Sequence, residues 1–154
     1  LMSFARAGSE GRKRARAIID ASKEELMTEL LEFEKTSEGE DKEKHLQAIR
    51  TLGFFDDDRA RARLKELLLK DEASIKVAAI ESLSDCKSNE LLSIFSSMAR
   101  ERDRSVRMAA INGIAEYGCE SAHPVLQKIL DEENNDGEII EQLRLIMRRL
   151  RMGL

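Results

Sequence analysis

The chain has 154 residues, of which 42% are apolar and 36% charged, with a net charge of -4. That length can bury the core of one ordinary domain, and the apolar share excludes a disordered tail. No apolar run approaches the roughly 18–20 residues of a membrane-spanning helix. One proline, a 4% aromatic share and no tryptophan leave little of what β-sheets are built from, so the composition points to helices.

Charge is unevenly placed. Residues 1–21 carry Arg6, Arg12, Lys13, Arg14 and Arg16 against Glu10 and Asp20. They read as a basic N-terminal arm, with a short helix near 10–20, ahead of an acidic domain over 22–154. Arg12, Lys13, Arg14 and Arg16 are candidates for contact with an anionic membrane surface, RNA or an acidic partner. The plainer reading is a solvated arm. A dedicated nucleic-acid binder is usually basic, and this chain is acidic, so nucleic acid is not an expected partner. Cys86 and Cys119 make neither a disulfide framework nor a metal-type pair, and read as reduced thiols of a cytoplasmic protein. No secretory signal is visible. A first residue other than Met fits a piece of a longer, membrane-associated protein.

The internal repeat carries the most information. Residues 74–85 read SIKVAAIESLSD and residues 105–116 read SVRMAAINGIAE, an ungapped offset of 31. Another step back, Ala48-Ile49 falls on Ala79-Ile80 and Leu52 on Leu83. Between these segments Ala60, Leu91 and Ala122 align, as do Leu64, Phe95 and Leu126. Leu67, Met98 and Ile129 make a further row, followed by Leu68, Ala99 and Leu130. Spacing of i, i+4, i+7, i+8 is one helical face. Each repeat is then two amphipathic helices, A and B, that must stack on their neighbours.

In chain order, Ser22 to Glu25 forms a capping box that opens the first A helix. Repeats are expected at about 24–53, 58–85, 88–117 and 122–151. Asp56-Asp57-Asp58 offers an N-cap to the second A helix, and Asp103 or Ser105 caps the third B helix. Gly118 ends that helix. Ser121 caps the next, with Pro124 in its first turn. Residues 134–137 make a turn, and the last helix runs from about 138 to 151.

The stretch from Asp103 to Gly118 resembles the B helix of HEAT repeats, and the compact 31-residue period resembles the subtype first described in phycobilin lyase subunits. The likeness covers roughly residues 40–134. The first B helix departs from it at His45 and Gln47. The last needs a two-residue insertion and places Arg144 at an apolar position. The resemblance implies an all-α, right-handed α-solenoid (an α-α superhelix) of about four helix pairs, whose B helices line a concave surface.

Two rows on that surface are candidate contacts. His45, Lys76 and Arg107 form a basic ladder for an acidic partner segment. The alternative is pairing of Lys76 or Arg107 with Asp71, Glu72 or Asp103 at a repeat junction. Arg50, Glu81 and Asn112 form a row of mixed sign, suited to a protein surface and not to a phosphate track. Phe54-Phe55 cannot both point inward; one staples the next helix and the other is open to solvent. No metal, cofactor or catalytic residue is expected. The acidic stretch 132–143 lacks the final bidentate Glu of a calcium loop, the three adjacent aspartates suit capping, and no phosphate loop or hydrolase motif occurs. The expected function is a non-enzymatic scaffold or adaptor that binds a protein partner on the concave B-helix surface. A cytosolic domain of a membrane-associated protein, and a lyase-like or nucleic-acid-modifying enzyme, are the alternatives.

Overall fold

The computed structural model describes residues 21–133 and 136–153. The basic residues Arg12, Lys13, Arg14 and Arg16, and part of the turn at 134–137, lie outside them, as does the side chain of Cys119. Among the described residues there are eight helices and no strand. We number them α1 (21–37), α2 (Lys42–Leu52), α3 (Asp58–Leu67), α4 (Ala73–Leu83), α5 (Asn89–Met98), α6 (Arg104–Ala115), α7 (Cys119–Glu132) and α8 (Gly137–Met152). The chain to Ala48 forms one compact unit and Ile49–Leu154 another.

In the first unit Met27 is buried, and so are the polar residues Glu34, Ser37 and His45. His45 Nε2 lies 2.8 Å from Glu34 Oε1, and neither residue is more than 3% exposed. A buried ionisable group is tolerated when a hydrogen-bonding partner comes with it. Residue 21 is already helical, so Ser22 lies inside α1 and does not cap it.

In the second unit successive helices pack as an α-solenoid: α3 on α4, α4 on α6, α5 on α6, α6 on α7 and α7 on α8. The aligned apolar rows are the core. Leu64, Phe95 and Leu126 are buried, as are Leu67, Met98 and Ile129. Ile49, Ile80 and Ile111, with Leu52, Leu83 and Ile114, show no exposed surface. Neither helix of a pair could bury these faces alone, which is why stacking, more than helix propensity, holds the elements together.

Caps follow local chemistry. Asp57 Oδ1 accepts from the Arg59 N–H at 2.8 Å, and Asp103 Oδ1 from Ser105 N–H at 2.8 Å. Asp136 Oδ1 accepts from Ile139 N–H at 3.2 Å. At α7 the expectation fails. Gly118, at φ 79°, turns the chain early enough for the helix to begin at Cys119. Ser121 is therefore internal, and Pro124 sits beyond the first turn.

Consecutive B helices meet at small residues. A Cβ on Gly53 would stand 2.7 Å from Ser82 Cβ and 2.9 Å from its Cα. One on Gly113 would stand 3.0 Å from the Phe95 ring and 3.2 Å from Ser84 Oγ. Ser82 Oγ also donates at 3.2 Å to the Ile49 carbonyl of the preceding B helix. Gly53→Ala should therefore destabilise the fold by about 1–3 kcal/mol through forced backbone displacement. Phe54→Ala, next to it and open to solvent, should change stability by less than about 0.5 kcal/mol. Urea denaturation of the two variants beside the intact chain checks both.

Candidate functional site

The B helices bury the faces that carry Ile49, Ile80 and Ile111, so the next residue along each, Arg50, Glu81 and Asn112, turns outward. All three are exposed. Arg50 Nε and Glu81 Oε2 are 3.7 Å apart with both side chains about half exposed. Such an open pair contributes at most about 1 kcal/mol, and both groups stay available to an incoming chain.

Beside this pair lies a depression of about 210 Å³ lined by Arg50, Gly53, Phe54, Glu81, Ser82 and Asp85. Its floor exists because Gly53 and Ser82 are small. Phe54 is 86% exposed at its edge, while Phe55 is half-buried. The site thus combines an open aromatic ring, one guanidinium and two carboxylates. Ser82 and Asp85 escaped the sequence reading, although Asp85 lies one repeat period after Phe54.

The basic ladder has a different setting. Lys76 Nζ is 2.9 Å from Glu101 Oε1, with its side chain 14% exposed. Arg107 donates from Nη2 to Asp136 Oδ2 at 2.7 Å, and from Nη1 to the carbonyls of Glu101 and Arg102 at 3.1 and 3.0 Å. Its buried Nε makes no hydrogen bond, and Glu133 Oε2 stands 3.9 Å away. His45 is buried against Glu34. None of the three presents a free charge on an open surface. The junction acids are Glu101, Glu133 and Asp136 of the following turns, not Asp71, Glu72 or Asp103. Sequence could have offered them only as candidates, because they lie 25–29 residues ahead. Arg100 and Arg104 add to the junction through Glu132 and Glu138. The cleft there, about 470 Å³, is lined by these paired charges with Ala99 and Ile129.

Tyr117 also joins repeats, and sequence reasoning passed over it. Its hydroxyl accepts from Ser88 N–H at 3.2 Å and lies 3.0 Å from the Ser88 carbonyl. Asp56 and Asp58 both hold Arg61, so together with the capping Asp57 the run of aspartates has a structural role. Among the described residues no group of three or more His, Cys, Asp or Glu is placed to hold a metal ion, and no helix is long and apolar enough to cross a membrane. Cys86 is a half-buried free thiol.

Residues 71–144 match the family model of HEAT repeats, which supports a HEAT-like repeat protein. No curated protein and no solved structure matches the chain.

The Asp136 carboxyl is held below its ordinary value of 3.8, first by the Ile139 N–H and then by the charges of Arg104 and Arg107. A depressed carboxylate adds stability that is complete above the unfolded-state value and is lost as pH falls through the folded one. Acid denaturation should therefore steepen below about pH 4, and Asp136→Asn should flatten that limb. Arg107→Met should cost about 1–3 kcal/mol at neutral pH by leaving Asp136 and two carbonyls short of a donor. Thermal melts across pH test both.

Proposed function

We propose that this chain is a non-enzymatic binding module that holds a protein partner on the B-helix surface around Arg50, Glu81 and Asn112. HEAT repeats are commonly protein-interaction scaffolds. The observation that carries the reading is Phe54, an aromatic ring 86% exposed beside a depression whose rim bears charges of both signs. A buried aromatic anchor within a polar rim is the usual energetic plan of a protein interface. Arg50 and Glu81 set orientation, and Asn112 extends the polar row on the next helix.

Lys76 and Arg107 enter this reading as positioning residues. Their ion pairs fix one helix pair against the next, and so fix the spacing of the contact row. His45 serves the same end within the first unit. The compact 31-residue type of repeat seen in phycobilin lyase subunits, and a cytoplasmic location, belong to the same proposal.

The test is recovery of partners from native lysate by the intact chain and by the Phe54→Ala, Arg50→Glu double variant, read by mass spectrometry. Loss of a central anchor should cost at least about 2 kcal/mol, a weakening of roughly thirtyfold. A protein held by the intact chain and lost by the folded double variant is the expected result. Equal recovery of every protein by both chains removes the B-helix surface as the site.

A further inference from the structure

The last helix differs from the others in its charge balance. From residue 144 onward α8 carries Arg144, Arg148, Arg149 and Arg151 and no acid, in a chain whose net charge is -4. Elsewhere in this unit most arginines are held by carboxylates: Arg59 by Asp57, Arg61 by Asp56 and Asp58, Arg63 by Glu66, Arg100 by Glu132, Arg104 by Glu138 and Arg107 by Asp136. Among the described residues, no carboxylate pairs with the four arginines of α8. Arg151 Nε instead donates to His123 Nε2 at 3.2 Å.

Three of these arginines line one groove. Arg144, Arg148 and Arg151, with Met147 of α8 and Gln127 and Leu130 of α7, enclose about 260 Å³. Spacing of i, i+4, i+7 puts the three on one helical face, over a length of about 10 Å.

The repeat register shows what these arginines replace. With the two-residue insertion before α8, Arg144 occupies the row of Ile49, Ile80 and Ile111, and Arg148 the row of Gly53 and Ser84. In the earlier helices those rows hold apolar or small residues. The three isoleucines have no exposed surface, and Gly53 and Ser84 lie against Ser82 and Gly113. Leu130 follows the same logic. Its counterparts Leu68 and Ala99 are buried, whereas Leu130 is only half-buried. The groove thus combines the apolar side chains of Leu130 and Met147 with a rim of guanidiniums that meet no described carboxylate.

We propose that this groove docks an acidic amphipathic helix of a partner protein. Carboxylates at i, i+4 and i+7 of that helix would meet the three guanidiniums, whose planar forks accept a carboxylate in bidentate fashion. Small apolar residues between them would cover Leu130 and Met147. Phosphates alone offer nothing to that apolar floor, and a membrane surface favours a protruding face over a groove. The inference is independent of the partner proposed for the Phe54 surface.

The probe is a fluorescein-labelled synthetic peptide of about 15 residues, long enough for four helical turns. It carries Glu at i, i+4, i+7 and i+11, with Ala and Leu between, and is titrated with the full chain by fluorescence anisotropy. Binding is expected at about 50 mM salt and should weaken at about 300 mM, where screening is stronger. Arg144→Gln with Arg148→Gln should weaken it at least about tenfold, whereas Arg102→Gln, an exposed control of equal charge change, should not. Both target side chains are exposed, so circular dichroism melts should match the intact chain. If the double variant melts lower, Arg148→Gln alone supplies the comparison. Unchanged binding by the variant overturns the proposal, as does equal binding of a scrambled peptide whose acids fall around the whole helix. Tighter binding of phosphatidylserine vesicles or of a single-stranded DNA of about 20 nucleotides, lost in the same variant, also overturns it. So does a concentration-dependent self-association that the variant abolishes, which would give the groove to a second copy.

Discussion

Consecutive B helices approach one another where their side chains are smallest, and the rest of the second unit follows from that approach. Gly53 faces Ser82, and Ser84 faces Gly113; a further Cβ has no room at Gly53 and would be tight at Gly113. Close backbone approach lets the isoleucine and leucine rows on either side be fully buried. It also brings Ser82 Oγ to the Ile49 carbonyl, a hydrogen bond between helices that a larger residue would not reach. Once those faces turn inward, the helical period turns Arg50, Glu81 and Asn112 outward. The candidate surface is a geometric consequence of the core.

Charge has two separate uses on this framework. Where cations are largely covered, Lys76 is met by an acid of the following turn, and Arg107 by an acid of the following turn and two carbonyls of the preceding one. These contacts resist sliding of one helix pair on the next, because a partly desolvated charge that loses its partner is costly. Among the more open cations some are closely paired, as Arg59 is with Asp57, some are loosely paired, as Arg50 is with Glu81, and those along α8 meet no described carboxylate. The first kind holds the scaffold, and the second is available to other molecules. Both kinds look alike in a net charge of -4, which is why composition alone separates neither.

Both candidate surfaces arise where the stacking pattern leaves something uncovered. Phe54 follows the small residue that permits helix approach, and its ring has no neighbouring helix to enter. Arg144 and Arg148 stand in rows that hold isoleucine, and glycine or serine, in the earlier B helices. A repeat architecture satisfies each interior unit through its neighbours and leaves its ends and outward rows to be used otherwise.

The sequence by itself determined the helices, their order and the core. The rows of Leu64, Phe95 and Leu126, and of Ile49, Ile80 and Ile111, were legible because a helix's own 3.6-residue period decides which residues share a face. A cap within Asp56–Asp58 and one at Asp103 or Ser105 were legible for the same local reason, and the caps formed are Asp57 and Asp103. Ser22 and Ser121 were not, since a competent cap residue does not act when the backbone turns earlier, as it does at Gly118. Only the tertiary structure decided which charges are paired. Lys76 meets Glu101, Arg107 meets Asp136, and His45 meets Glu34, while Arg144 and Arg148 meet no described carboxylate. Pairing depends on how two helices and the turns between them are placed. Periodicity along one helix carries no information about that placement.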